Sequence, residues 1–188
     1  MSDFKDYKGL FASGGNFDIP ATFNAGLAFL LTPKLTVVTD FKRIFYSDID
    51  ALANTNDIPL EQIVTNPDNR LGGDKGLGFG WEDINVYSIG MQYHANERWT
   101  LRAGYSKGDV PCKNVNTLFN VLAPATIETH ASLGGSYRLD KKSSINFSYT
   151  HAFTNTVKGT STFTGPQSGY VRMQQDMLQI GYSHEFGI

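Results

Sequence analysis

Two neighbouring stretches of alternating apolar and polar residues constrain the fold of this chain more than any other feature. From Trp99 to Ser106 every second residue is apolar or aromatic, and the same is true from Tyr87 to His94. A four-residue polar turn at 95–98 joins the two stretches. Period-two alternation places apolar side chains on one face of a strand. Arms of about ten residues suit tilted strands that cross a bilayer, so the stretch Ile84–Lys107 predicts a membrane β-hairpin.

The same alternation predicts five further strands, with connections of two kinds. The seven predicted strands lie near 19–31, 35–46, 84–94, 99–107, 129–139, 144–154 and 175–186. Short connections (32–34, 95–98, 140–143) alternate strictly with long ones (47–82, 108–128, 155–174). Outer-membrane barrels place short turns on the periplasmic side and long loops outside. The predicted fold is an all-β, antiparallel, up-and-down transmembrane β-barrel segment of about seven strands, forming a single unit over 1–188.

Composition excludes several other classes of protein. No run of eighteen apolar residues exists, and Ala25–Leu31 is too short for a helical membrane span. Nineteen glycines, 13% aromatic residues and a single cysteine favour a β-rich chain without a disulfide framework. The net charge of -2 gives no reason to expect a nucleic-acid partner. Residues 1–8 lack the apolar core and cleavage site of a signal peptide, so we expect a mature chain or a fragment.

Charged residues on the polar face of the predicted strands help to choose between membrane and soluble barrels. Lys42, Arg102, Arg138 and Glu185 all lie on this face. A protein core would not tolerate them unpaired, whereas the wet lumen of a membrane barrel would. A soluble, lipocalin-like barrel that binds an apolar ligand remains an alternative, as does a segment of a general diffusion porin. Arg43 interrupts the apolar face, which indicates either a bulge or a position above the membrane edge.

Motifs for catalysis, cofactor binding and metal binding are absent from the sequence. There is no G-x-S-x-G, no H-E-x-x-H, no glycine-rich phosphate loop before a helix and no cysteine pair for zinc. Asp68, Asn69 and Asp74 do not have the spacing of an EF-hand loop. We therefore expect no enzyme activity, no cofactor and no metal site.

Five short segments together resemble one protein family. They are Phe17-Asp18-Ile19-Pro20-Ala21, Gly80-Trp81-Glu82-Asp83, Trp99 to Tyr105, Pro124, and Leu133 to Tyr137. In this order they resemble the FadL-type outer-membrane transporters of long-chain fatty acids and hydrocarbons, whose relatives carry aromatic hydrocarbons. The resemblance extends from about residue 9 to residue 186.

The resemblance implies more structure than seven strands supply. The family's barrel is fourteen-stranded with an N-terminal plug, and this chain resembles only its C-terminal half. The N-terminal plug and the signal peptide are therefore expected to be absent here. Two open strand edges cannot face lipid, so the expected partners include the missing N-terminal half or a second copy of the chain. The implied location is the bacterial outer membrane, in contact with its lipid.

Passive uptake of hydrophobic small molecules is the function that the resemblance implies. Capture of an apolar ligand requires apolar side chains on the long loops, and a cation facing the lumen could meet a carboxylate head group. The long loops offer Leu71, Leu77, Phe79 and Trp81 in one, and Val115, Leu118, Phe119, Val121 and Leu122 in the other. The candidate substrate-binding residues are Leu77, Phe79, Trp81, Phe119, Leu122, Lys42, Arg102 and Arg138. The alternative is that the loop residues only pack the loops together, and the choice between fatty acid and aromatic hydrocarbon stays open.

Overall fold

One antiparallel sheet forms most of the computed structural model, which describes residues 9–112, 114–117, 119–161 and 167–186. Its seven strands are β1 (Thr22–Thr32), β2 (Leu35–Ile44), β3 (Ile84–His94), β4 (Trp99–Gly108), β5 (Thr129–Arg138), β6 (Ser143–Ser161) and β7 (Gln167–His184). Each strand pairs antiparallel with its neighbours in the chain, in the order β1 to β7. The predicted seven-stranded, up-and-down antiparallel architecture is confirmed. Among the residues described, no helix combines the length and the apolarity needed to cross a membrane.

The strand register gathers the alternating side chains into two continuous faces. Leu101 of β4 lies opposite Tyr93 of β3 and Gly135 of β5. The next residue, Arg102, lies opposite Gln92 and Gly134 on the other face. The pairing is continuous from β2 to β6, so residues with the same alternation lie side by side. One face of the sheet is therefore apolar and the other is polar.

The apolar face is uncovered in the part of the chain that the structure describes. Leu133, Leu178 and Ile180 are 65%, 73% and 76% exposed. Aromatic pairs flank this face, with ring centroids 5.2 Å apart for Phe41 and Tyr87 and 4.8 Å apart for Trp99 and Tyr137. Flanking aromatic residues are typical of membrane interfaces. The apolar face is therefore the lipid face, and the lipocalin-like alternative, in which apolar residues point inward, does not fit.

The polar face is concave. It lines grooves of about 660, 270 and 500 Å³, each walled mainly by Ser, Thr, Gly, Asn, Gln and charged residues. This face corresponds to the predicted lumen. The sheet is not closed, because β1 and β7 do not pair with each other in the described residues. Both of these edge strands run toward the end that carries the short turns.

The opposite end of the sheet carries the long connections and a few short helical elements. The helices are α1 (Ala12–Gly15), α2 (Asp50–Ala53) and α3 (Leu60–Thr65), and 3₁₀ turns cover Tyr46–Asp48, Pro67–Asn69, Asn114–Asn116 and Phe119–Val121. The segment before β1 packs against the β2–β3 connection. Ala12 N donates to Leu77 O at 2.8 Å, and Phe11 forms a parallel bridge with Leu77. This segment therefore belongs to the loop assembly.

The third long connection, predicted at 155–174, is mostly strand. Strands β6 and β7 remain paired up to Ser161 and Gln167. Threonine and valine favour extended backbone, and a hairpin satisfies its own backbone hydrogen bonds above the membrane. The sequence prediction was wrong here because the Thr-, Gly- and Ser-rich composition was interpreted as a loop.

A bulge divides the β6–β7 hairpin into two parts. Ala152 pairs with Gln175 and Asn155 with Met173, so two residues of β6 lie opposite one residue of β7. A bulge of this kind shifts the alternation of the strand that carries it. Below the bulge the odd-numbered residues of β6 lie on the lipid face. Above the bulge the even-numbered residues lie on the same outward side, whereas β7 keeps one alternation throughout.

Arg43 lies at the membrane edge and not at a bulge. It pairs in regular register with Phe23 and Asn85, one residue before the end of β2. Its Nη2 lies 3.3 Å from Oδ2 of Asp83, and its guanidinium lies 5.4 Å from the ring centroid of Phe45. The interruption of the apolar face is therefore the beginning of the polar extracellular region.

Candidate functional site

Three segments that are distant in sequence meet at the long-loop end of the sheet. They are the segment before β1, the β2–β3 connection and the β4–β5 connection. Together they form what we call the loop core, which comprises Phe11, Ile49, Ala51, Leu52 and Phe79, with Tyr46, Trp81, Phe119 and Ala123 packed against it. Three predicted substrate-binding residues, Phe79, Trp81 and Phe119, lie in this one cluster.

Phe79 lies at the centre of the aromatic rings in the loop core. Its ring centroid is 5.3 Å from Phe11, 5.6 Å from Trp81 and 5.5 Å from Phe119. Such distances are typical of favourable aromatic pairs, each of which contributes about 0.5–1.5 kcal/mol beyond its buried area. The side chain of Phe79 is buried, so it stabilises the assembly of the loops.

The aromatic cluster reaches solvent at Phe17. This ring lies 4.9 Å from Phe11 in an edge-on arrangement and 6.1 Å from Phe79, and it is 38% exposed. Phe119 and Trp81 are partly buried. Aromatic surface therefore continues from solvent at Phe17 to the buried ring of Phe79.

A buried asparagine joins the two long connections. Nε1 of Trp81 donates to Oδ1 of Asn120 at 2.5 Å. Nδ2 of Asn120 donates in turn to the carbonyl oxygens of Phe79 and Asn116, at 2.8 and 2.9 Å. Asn116, Asn120 and Phe79 are buried, and a lost hydrogen-bond partner is costly at such positions. Asn120 therefore fixes the orientation of the Trp81 indole.

A second buried asparagine, Asn116, lies four residues earlier in the sequence. Oδ1 of Asn116 accepts from Oγ1 of Thr55 at 2.8 Å and from the backbone N of Asn56 at 3.0 Å. Gly80 packs directly on Asn116 with φ of 67°, and a Cβ at Gly80 would overlap the Asn116 side chain. Sequence reasoning missed both asparagines, because no periodicity distinguishes a buried loop asparagine from a turn residue.

The remaining loop candidates do not share one location. Leu77 is buried in a separate small cluster with Ile58 and Ile63. Leu122 is 70% exposed and makes no part of the loop core. Leu118, another apolar residue of this loop, lies outside the described residues.

Polar side chains form a hydrogen-bonded network across the lumen face. Arg102 Nε donates to Oε1 of Gln92 at 2.8 Å, and its Nη1 donates to Oγ of Ser136 at 2.7 Å. Oγ of Ser136 donates to Oδ1 of Asn146 at 2.7 Å, and Nδ2 of Asn146 donates to Oγ of Ser183 at 3.1 Å. The network joins β3, β4, β5, β6 and β7 and holds the Arg102 guanidinium against the wall.

Two of the three predicted lumen cations lie close together, and the third lies near the opposite end of the sheet. Arg102 and Arg138 line the same groove of about 500 Å³ near the short turns. Lys42 pairs in register with Asn24 and Val86, near the long-loop end. The structure therefore brings Arg102 and Arg138 together and leaves Lys42 apart from them.

A carboxylate fixes the junction between the sheet and the β2–β3 connection. Oδ1 of Asp83 accepts from Oγ of Ser47 at 2.8 Å and from the backbone N of Ser47 at 3.1 Å. These two hydrogen bonds from Ser47, followed by the Arg43 guanidinium, lower the pKa of Asp83 below its ordinary value. The ionised carboxylate therefore holds the start of the loop onto the strand end.

The residues that the structure describes include neither a reactive thiol nor a cluster of metal ligands. Burial raises the pKa of the Cys112 thiol, which makes it a poor nucleophile. Within 9–112, 114–117, 119–161 and 167–186, no group of three His, Cys, Asp or Glu side chains is placed to hold a metal ion.

Solved structures of outer-membrane transporters share this architecture. The toluene transporter TodX of P. putida is 25% identical, with a TM-score of 0.62, over 91% of this chain and 36% of that one. The toluene transporter TbuX of Ralstonia pickettii is 20% identical, with a TM-score of 0.56, over 90% and 34%. A FadL homologue of Pseudomonas aeruginosa is 16% identical, with a TM-score of 0.66, over 89% and 36%. The last two show similarity of fold alone.

This chain spans about a third of the length of these solved structures. No curated protein sequence matches it. A family model described as outer membrane protein transport protein (OMPP1/FadL/TodX) matches residues 10–183, which is nearly the whole chain. The sheet of amphipathic strands, its exposed lipid face and this match lead to one conclusion: the chain belongs to the OMPP1/FadL/TodX family of outer-membrane transport proteins.

Proposed function

We propose that this chain forms part of the wall and of the extracellular binding surface of a passive uptake channel for hydrophobic small molecules. The observation that carries the proposal is the aromatic surface that leads from exposed Phe17 to buried Phe79, on loops above the lipid face. The free energy falls when an apolar ligand leaves water for such a surface. Its onward transfer into the membrane interior is favourable for the same reason, so the transport needs no energy source.

Ligand binding begins, in this proposal, at the partly exposed rings. Phe17, which is 38% exposed, contacts Phe11 and Phe79 at the solvent side of the cluster. Displacement of Phe17 would uncover aromatic surface of Phe11 and Phe79 without breaking the hydrogen bonds of Asn120. A planar ring could then take the place of Phe17 against these two rings, both of which also contact Phe119. Leu77, which is buried in its own cluster, supports the loops in this scheme and does not touch the ligand.

Two substrate classes make different demands on the site. A monoaromatic hydrocarbon needs only ring surface, which Phe119 and Trp81 supply. A long-chain fatty acid also needs a partner for its carboxylate, and Arg102 with Arg138 would supply charge-assisted hydrogen bonds in the lumen. TodX and TbuX are toluene transporters. We propose the aromatic class as the ligand of the loop core, with Arg102 as the contact for an acidic ligand deeper in the lumen.

Tryptophan fluorescence tests the ligand site, because the chain has only Trp81 and Trp99. A Trp99→Phe variant leaves Trp81 as the single reporter in the loop core. We expect saturable quenching of Trp81 fluorescence by toluene, and about tenfold weaker binding after Phe119→Leu, since part of one ring contact is lost. Leu133→Ala, on the lipid face, serves as the matched control. Unchanged affinity in the Phe119→Leu variant would remove the loop core from the binding site.

A direct binding measurement separates the two substrate classes. Oleate and toluene are titrated into the protein with and without Arg102→Gln, and binding is measured by isothermal titration calorimetry, because Arg102 lies near the short turns and Trp81 at the opposite end of the sheet. We expect Arg102→Gln to weaken the binding of oleate alone, because toluene has no carboxylate. Equal loss for both ligands would show that Arg102 acts through the structure of the wall.

Strand direction supports a proposal about how the open wall is completed. Because the sheet has an odd number of strands, both edge strands run toward the short-turn end. In an antiparallel barrel each edge needs a neighbour that runs the other way. A second copy in the same membrane orientation would present β1 or β7 parallel to these edges. We propose that the wall is completed by an odd number of other strands, from the same or a separate polypeptide, and not by a second copy.

The mass of the membrane-inserted assembly tests this proposal about the wall. We expect no closed barrel that contains only two copies of the chain. A stable two-copy barrel in detergent or bilayer, measured by native mass spectrometry, would contradict it.

A further inference from the structure

The part of the β6–β7 hairpin above the bulge presents a cationic surface on its outward face. Lys158 pairs with Tyr170, and Thr156 pairs with Arg172, in consecutive outward rows. Lys158 and Arg172 are therefore diagonal neighbours on one face. All four side chains are exposed.

This surface continues the lipid face. On β7 the outward positions pass from Ile180 and Leu178 through Asp176 and Gln174 to Arg172. The apolar part ends at Asp176, whose Oδ1 accepts from the Tyr149 hydroxyl at 2.6 Å and lies 2.7 Å from His151 Nδ1. The next row is also polar, since Thr154 Oγ1 donates to Oε1 of Gln174 at 2.6 Å. Lys158 and Arg172 thus lie immediately beyond the lipid belt on the long-loop side.

No salt bridge within the described residues involves Lys158 or Arg172. The sequence contains no Asp or Glu from Thr154 to Gln175. Asp176, the next acidic residue, is already engaged by Tyr149 and His151. The edge cation Arg43 differs, because Asp83 pairs with it.

The surface also adjoins an open recess. Gly159 and Gly169 lie directly opposite each other between the two strands. Together with Lys158, Tyr170 and Asn114, they line an open concavity of about 470 Å³. Tyr170 is 65% exposed beside it, which suits an aromatic side chain at the boundary between acyl chains and head groups.

We propose that the outward face of this hairpin binds the phosphate groups of a phosphorylated glycolipid in the outer leaflet. The Arg172 guanidinium offers two parallel N–H donors to a phosphate, and Lys158 adds a second positive charge. The exposed Leu178 and Ile180 below them contact the acyl chains of the same lipid. Because the cations adjoin the lipid face, a phosphate that is attached to acyl chains can contact both surfaces at once. A soluble phosphate can contact only the cations. Each cation near an anionic lipid surface contributes about fivefold in affinity.

Lipid binding to the full chain tests the proposal. The protein is placed in phosphatidylcholine nanodiscs that contain either bis-phosphorylated lipid A or the same lipid without phosphates, and bound lipid is counted by native mass spectrometry. The test variant is Lys158→Gln with Arg172→Gln. Lys141→Gln with Lys142→Gln, in the short turn at the opposite end, removes the same charge and serves as the matched control. Near-ultraviolet circular dichroism confirms that both variants keep the fold.

The expected result is preferential retention of lipid A, reduced roughly twenty-fold in the hairpin variant and unchanged in the control. Three results would overturn the proposal. They are equal retention of the lipid without phosphates, equal loss in the control, and displacement of lipid A by inorganic phosphate at the affinity of lipid A itself. The last result would identify a general anion site in place of a lipid site.

Discussion

Nε1 of Trp81 and Oδ1 of Asn120 lie 2.5 Å apart, although two complete strands separate them in sequence. The hydrogen bond joins the end of the β2–β3 connection to the β4–β5 connection. Strands β3 and β4 form the hairpin that brings these two connections to the same end of the sheet. The wall therefore sets the position of the loop core, and Asn120 sets its internal arrangement.

Replacement of Asn120 by Leu should release the two long connections from each other. The variant loses the acceptor for Trp81 and the donor to Phe79 O, and it leaves buried polar groups without partners. We expect the loop assembly to lose about 2–4 kcal/mol, from penalties of about 1–3 kcal/mol per unsatisfied group. Amide hydrogen exchange should accelerate in α2 and around Phe79, with strand amides unchanged.

Val121→Ala, in the same 3₁₀ turn and largely exposed, is the control for this change. It should leave the exchange rates as they are. If Asn120→Leu changes exchange no more than Val121→Ala does, the asparagine is not what joins the loops.

Gly80→Ala should be far more damaging than Gly14→Ala. Both glycines have φ of 67°, so a side chain would meet the strain of left-handed backbone at both positions. A Cβ at Gly80 collides with Asn116, whereas a Cβ at Gly14 has nothing within 4 Å. We expect an additional loss of about 1–3 kcal/mol for Gly80→Ala, the usual cost of overpacking. Thermal unfolding of the two variants, monitored by Trp81 fluorescence, measures this difference. Equal unfolding midpoints would show that backbone strain, and not the collision with Asn116, accounts for the loss of stability.

Acid should loosen the junction at Asp83. The pKa of this carboxyl is lowered in the folded chain, chiefly by the two hydrogen bonds from Ser47 and then by Arg43. A lowered pKa stabilises the fold above the ordinary carboxyl pKa, and this stabilisation is lost as the pH falls through the lowered value. The thermal midpoint reported by Trp81 fluorescence should therefore fall between neutral pH and about pH 3.

Asp83→Asn should lower that midpoint at neutral pH and weaken its pH dependence. The two proteins should converge in acid, where the wild-type carboxyl is protonated. A wild-type profile that is parallel to that of Asp83→Asn over the whole range would show that another group is responsible.

Adjacent residues of β5 should report opposite environments in a bilayer. Leu133 lies on the lipid face and Ser132 on the lumen face. Because Cys112 is the single cysteine, a Cys112→Ser background allows a nitroxide at either position. The label at Leu133 should be relaxed by oxygen, which dissolves in lipid, and the label at Ser132 by a water-soluble nickel complex. The reverse result would mean that the faces are assigned wrongly.

Local sequence pattern was sufficient to predict the wall. Strand alternation correctly placed Leu101 and Arg102 on opposite faces, because a side-chain period of two follows from extended backbone wherever it occurs. Strand alternation did not predict the upper part of the β6–β7 hairpin. Its upper part has ordinary strand residues, but its threonines, glycines and serines also suit a loop, and only the pairing of β6 with β7 decides between them.

The sequence by itself determined the number of strands, their faces and the long-loop end of the sheet. Tertiary structure alone decided which loop residues meet: it placed Phe79, Trp81 and Phe119 in one cluster, left Leu122 outside it, and buried Asn116 and Asn120. It also separated Lys42 from Arg102 and Arg138 along the lumen. The physical reason is the range of the interactions. Strand alternation depends on neighbours in the chain, whereas the loop core consists of contacts between segments about forty residues apart, which no local pattern records.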